Sequence, residues 1–169
     1  ENGKYVSPDL SLLAEHITDK SNFAGIAYPR KPFSILWTYL EDGTLAAMTY
    51  LREQDVVGWH RHPLTNGAVE SLACIPGDGY TELWAIIRRT VGGATVRYVE
   101  MMEAIFNDDA DTYTANNGLN AFFVDSGITY NGAAATNITG LSHLEGQTVS
   151  VLADGGWVSN KVVVAGAIT

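Results

Sequence analysis

The sequence predicts a mainly β protein: an antiparallel β-meander of propeller-like blades, then a small β-barrel or sandwich, with one short helix at the N-terminus. Three observations carry that expectation. Apolar and aromatic runs recur with starts 10 to 14 residues apart between Ser34 and Met101, the spacing of consecutive antiparallel strands. The segments between them are built from Gly, Pro, Asp and Asn, the residues that accept turn conformations. Trp, Tyr, Val, Ile and Thr fill the runs, and these side chains suit a pleated surface with one face covered.

The helix is expected over about 8–17. Ser7 suits a cap, Pro8 the first turn and Asp9 the positive end, while Leu10, Leu13 and Ile17 share a face. From Asp19 to Lys31, Asn22, Gly25 and Pro29 predict an irregular connection, which Pro32 extends. Strands are then expected at Ser34 to Leu40, Thr44 to Leu51, Val56 to His62, Val69 to Ile75, Thr81 to Arg89 and Thr95 to Met101. Four consecutive strands of this kind would make one propeller blade.

Residues 103–118 break the pattern with Asn107-Asp108-Asp109-Ala110-Asp111 and Asn116-Asn117-Gly118. The expected organisation is therefore 1–102 as helix plus meander, 103–118 as linker with a short helix around Glu103 to Phe106, and 119–169 as a small Gly-rich β unit. In that last unit strands are expected at Asn120 to Asp125, Thr136 to Ile138, Thr148 to Ala153 and Lys161 to Val164.

At 169 residues with 46% hydrophobic and 17% charged side chains, the chain has the composition of a folded domain and not of a disordered one. The net charge of −9 is uneven, since 103–169 holds seven acidic residues against Lys161 alone. Such a surface repels phosphate and disfavours tight nucleic-acid binding, while leaving room for a wall along which DNA slides. Cys74 has no partner for an internal disulfide and reads as a small buried hydrophobe in a reducing compartment. No run approaches 18 apolar residues and no secretory signal pattern opens the chain, so no membrane insertion is expected. The chain begins at Glu1 without a methionine and stops at Thr169 after an apolar run, which reads as a segment of a longer protein.

Several residues invite a chemical reading. His60 and His62, two apart on a strand, project to one face and have the spacing of a metal chelate. A cupin set fails around them: Gln54 stands where a glycine belongs, seven residues separate His62 from Glu70, and no second histidine motif follows. Cys74 or Ser71 with His60 lacks the glycine-flanked elbow of a nucleophile. His16 and His143 are isolated, and Gly77-Asp78-Gly79 and Gly92-Gly93 lack the lysine of a phosphate loop. Asp108, Asp109 and Asp111 with Asn107 do not have calcium-loop spacing. Trp37, Trp59, Trp84 and Trp157 are expected mostly in the core and not on a sugar-stacking platform. No catalytic residue, cofactor or metal site is therefore expected.

Longer phrases carry a resemblance. Tyr5-Val6-Ser7-Pro8-Asp9-Leu10 leads to Ala14-Glu15-His16; Pro32 to Trp37 is joined to Asp42-Gly43-Thr44-Leu45; and Met48 to His62 runs as one fixed string. Phe122 to Tyr130, Gly140 to Val149 and Ala153-Asp154-Gly155 continue it, so the likeness spans nearly the whole chain. Together they resemble tail proteins of bacteriophages and prophages, similar in role to the nozzle, or tail tubular protein B, of short-tailed phages. The resemblance implies a non-catalytic, ring-forming structural subunit of the virion, assembled in the host cytoplasm from copies of itself and other tail components, lining or closing the DNA exit path. The alternatives it leaves are a carbohydrate or host-surface binding module of a tail, and a cupin-like metal enzyme using His60 and His62.

Overall fold

The computed structural model describes residues 9–12, 14–31, 33–77, 79–103 and 124–169. These residues are mainly β, in antiparallel sheets, with helix limited to single 3-10 turns. The strands are β1 (Phe23–Ala27), β2 (Ile35–Leu40), β3 (Leu45–Leu51), β4 (Val56–His62), β5 (Gly67–Pro76), β6 (Thr81–Val91), β7 (Ala94–Met101), β8 (Ile138–Thr139), β9 (Thr148–Ala153), β10 (Gly156–Val162) and β11 (Ala167–Ile168). They fall into two compact units. One holds the described residues up to Arg88 and those from Tyr98 to Glu103; the other holds Arg89–Arg97, at the tip of the β6–β7 hairpin, and 124–169.

In the first unit, β1 to β4 form a four-stranded meander in chain order, and β5 to β7 form a separate three-stranded one. The six strands expected from Ser34 to Met101 are all present, and β4 has the expected bounds. The meander is nevertheless divided. After β4 the chain passes through Pro63 and Asn66, the latter at φ 49°, and β5 packs against β1 and β2 without extending the first sheet beyond β4. Gly43, at φ 86° in the β2–β3 turn, permits this approach: its carbonyl accepts from Val69 N–H at 2.9 Å, and a Cβ there would lie 2.5 Å from Ala68 Cβ.

Between the two sheets lies the core of Ala27, Trp37, Leu45, Ala47, Val69, Leu83 and Ile87. Cross-strand register explains the packing. Ala27, Trp37, Ala47 and His60 stand side by side across β1 to β4, so one large ring is flanked by two alanines that make room for it. Each large aliphatic side chain buried there contributes about 1.5–3 kcal/mol.

The reverse face of the first sheet carries Ala46 and Trp59, covered by Ala14 and Ile17. Here the expected helix over about 8–17 shrinks to one 3-10 turn, Glu15–Ile17. An α-helix would need the Ala14 N–H on the Leu10 carbonyl. Instead Ala14 donates to Ser11, the Leu10 carbonyl accepts from Trp59 Nε1 at 2.9 Å, and the Asp9 carboxylate accepts from both the N–H and the hydroxyl of Ser11.

The connection expected from Asp19 to Lys31 contains an edge strand, β1, whose register with β2 shifts between Phe23 and Gly25. Gly25 faces Tyr39 directly, and a Cβ on it would lie 2.5 Å from the tyrosine ring. The glycine that marks a loop in the sequence is thus the seat for an aromatic ring on an edge strand. Thr38, fully buried, donates its hydroxyl to the Gly25 carbonyl at 2.8 Å beside the irregularity.

In the second unit, the described residues form two antiparallel ribbons, β9–β10 and β8–β11. Asp154 and Gly155, at φ 51° and 78°, make the two-residue turn between β9 and β10, the backbone that Asp-Gly favours in hairpins. β9 has the expected bounds. The strand expected at Lys161 to Val164 is shifted, since β10 ends at Val162 and Val164 makes only an isolated bridge to Ala167. The strand expected at Thr136 to Ile138 is represented by β8, and Val124 and Asp125 lie in a bend. Residues 120–123 of the other expected strand, and the expected helix after Glu103, lie outside the described residues.

Candidate functional site

Strand β4 alternates its side chains as a strand must. Trp59 and Arg61 turn to the face covered by the N-terminal segment, and His60 and His62 to the face that carries Trp37. The Trp59 ring stacks on Phe23 with centroids 5.4 Å apart. Arg61 binds the carbonyls of His16 and Ile17 and lies 3.7 Å from the Asp19 carboxylate. Arg61 also borders a cleft of about 290 Å³ with Ile17, Lys20, Leu40 and Asp42. Sequence reasoning did not find this cleft, because its walls come from three separated stretches of chain.

The two histidines meet as their spacing predicts. His60 Nδ1 lies 2.7 Å from His62 Nε2, and the rings are tilted by 69° with centroids 4.8 Å apart. Trp37 presents an edge to His60 and lies 4.7 Å from the His62 ring. The outer nitrogen of His60, Nε2, is 3.4 Å from Thr49 Oγ1. A bond between two imidazoles needs one N–H and one lone pair. Either His60 donates from Nδ1 and accepts from Thr49, or His62 donates from Nε2 while His60 donates to Thr49. Burial pushes both pKa values below their ordinary range, and repulsion from His60 lowers His62 further. At neutral pH the pair is uncharged.

The other candidates are dispersed. Glu70, the residue a cupin set would enlist, pairs with Arg88 at 3.2 Å. Among the described residues no three His, Cys, Asp or Glu side chains converge as a metal group. Cys74 is half-buried, packed against the inter-sheet core, and burial raises its thiol pKa, which keeps it protonated and a poor nucleophile. The ring nitrogens of His60 are directed to His62 and Thr49, and not to a serine or cysteine. His16 sits in the first 3-10 turn and His143 in another, Ser142–Leu144. Asn107, Asp108, Asp109 and Asp111 lie outside the described residues. Of the tryptophans, Trp37 is buried, Trp59 and Trp84 are half-buried, and Trp157 is 71% exposed on β10 opposite Leu152.

No protein-family model matches the chain, and no curated protein matches it. The arrangement that the described residues do present is a hydrogen-bonded histidine pair on an edge strand, backed by a tryptophan and open to solvent on one side.

Proposed function

We propose that this chain is a structural, non-catalytic module of a bacteriophage or prophage tail, of the nozzle type, which works by assembling with copies of itself and with other tail components. The observation that carries the reading is the string from Tyr50 to His62, the most specific part of the resemblance. It coincides with one structural unit, the end of β3, the Arg52–Gln54 turn with Asp55 at φ 52°, and all of β4.

The mechanics agree with a scaffold. Two antiparallel sheets closed over one core make a stiff body, and the strand edges at β1 and β4 are suited to completion by a neighbour. A tail module that binds host carbohydrate is the second reading, and it would draw on exposed tryptophans. Only Trp157 among the four is widely exposed, which supplies less than a stacking platform needs. The test is mass spectrometry of gradient-purified virions from the source culture, with negative-stain images of the purified full-length protein. Recovery of the protein with tailed particles and ring-shaped assemblies is expected. Its restriction to particle-free fractions, with no oligomer formed, would overturn the proposal.

A further inference from the structure

We propose that His60 and His62 form a two-histidine chelate for a divalent transition-metal ion on the β4 edge strand, copper(II) in preference to nickel(II) and zinc(II), with water filling the remaining positions. The argument begins with distance. An imidazole nitrogen sits about 2.0–2.1 Å from such an ion, so two of them at a right angle are about 2.9 Å apart and at the tetrahedral angle about 3.4 Å apart. His60 Nδ1 and His62 Nε2 already stand 2.7 Å apart, aimed at each other from the same strand face. Opening the pair by about 0.2 Å, with each ring turned by about 45° so that its lone pair leaves the N–N line, gives a right-angle site, whereas a tetrahedral one needs about 0.7 Å and a turn of about 35°. Right-angle geometry is the habit of copper(II) and nickel(II), tetrahedral that of zinc, and the intrinsic order of divalent affinities also peaks at copper.

The surroundings support the same site. A metal-bound histidine ordinarily donates its other ring nitrogen to a neighbouring acceptor, which fixes its orientation. Thr49 Oγ1, 3.4 Å from His60 Nε2, stands where that acceptor is needed. Both rings are half-buried on an edge strand paired only with β3, so the backbone holds them while solvent reaches the outer side. No net proton needs to leave a neutral pair. Whichever ring donates in the free pair moves its proton to its outer nitrogen, His60 from Nδ1 to Nε2 or His62 from Nε2 to Nδ1, and so exposes the lone pair that the ion takes.

The experiment uses tag-free protein in equilibrium dialysis against copper(II), nickel(II) and zinc(II) chlorides. One equivalent of copper(II) is expected to bind, with nickel and zinc weaker in that order. His60→Gln and His62→Gln are each expected to weaken copper binding at least tenfold, while His16→Gln and His143→Gln change it less than twofold. Because Trp37 lies 4.7 Å from His62, bound copper(II) should quench part of the fluorescence, and Trp37→Phe should remove that part. Copper should also protect His60 and His62 of the unaltered protein from diethyl pyrocarbonate, a readout that does not depend on any variant folding. Absence of stoichiometric copper, or copper binding that survives both glutamine substitutions, would overturn the proposal.

Discussion

Replacing Gly25 with alanine tests how the first sheet is closed at its β1 edge. Glycine in a strand costs about 0.5–1 kcal/mol relative to alanine through backbone entropy, so the substitution alone would stabilise an unobstructed strand. Gly25 is not unobstructed. A Cβ there would lie 2.5 Å from Tyr39 Cε1, 3.1 Å from Cζ and 3.2 Å from the hydroxyl, and Tyr39 is itself packed against the inter-sheet core. Displacing a packed ring of this kind costs about 1–3 kcal/mol, which set against the entropic gain leaves a net loss of about 0–2.5 kcal/mol, centred near 1. The decisive measurement is a double-mutant cycle by urea denaturation. In a Tyr39→Ala background the ring is gone, so Gly25→Ala should change sign and stabilise by about 0.5 kcal/mol. If it destabilises equally in both backgrounds, the ring contact is not what requires glycine, and the account of the β1–β2 pairing is wrong.

Three further outcomes follow from the same structure. The folded histidine pair binds protons less readily than an unfolded chain, whose imidazoles titrate near 6.5; stability is therefore full above that value and falls as pH drops through the lowered folded values. Urea midpoints measured from pH 7.5 to 4.5 should show this decline, and the His60→Gln/His62→Gln protein should show a flatter one. Arg89, 8% exposed, makes two contacts of 3.1 and 3.2 Å to the Asp125 carboxylate, so Arg89→Met should cost about 1.5–3 kcal/mol by removing these charge-assisted hydrogen bonds. Hydrogen exchange across 124–130 reads that loss, and unchanged protection there would contradict it. Trp157→Ser, at a side chain 71% exposed, should shift the stability of the chain by less than about 0.5 kcal/mol, and a larger loss in urea denaturation would mean that the ring is covered.

Strand identity was legible wherever the turn chemistry was local. The bounds of β4 and β9 follow from their flanking turns, and Gly92-Gly93, at φ 56° and 81°, makes the two-residue hairpin turn that the dipeptide suggests. What misled was chemistry with a distant cause. Gly25 reads as a loop signal until Tyr39, across the strand, supplies the reason for it. The Ser7-Pro8-Asp9 start reads as an α-helix until Trp59, about fifty residues further on, takes the Leu10 carbonyl. The division of one expected meander into two sheets depends on the close approach of Gly43 to Ala68, which no periodicity in either strand announces. The histidine pair lies at the legible end of this range, because a two-residue spacing within one strand fixes a shared face without help from elsewhere. Its partners Trp37 and Thr49 were not legible, since cross-strand register decides them.

The acidic character of the C-terminal segment also changes meaning when residues are followed one by one. Residues 103–169 carry seven acidic side chains and one lysine, a count that suggests a strongly negative surface. Four of those seven are among the described residues, and two of the four are engaged in holding the fold. Asp125 is matched by Arg89, while the two oxygens of Glu145 accept the N–H groups of Ala165 and Gly166 at 3.0 and 2.7 Å. Ala165 and Gly166 both have positive φ, so Glu145 satisfies the backbone of a turn that has no strand partner for those groups. Among the described acids of this segment, Glu103 and Asp154 remain as exposed charge. Asp125 is thus offset by a cation from outside the segment, whereas Glu145 keeps its full charge while it holds the turn.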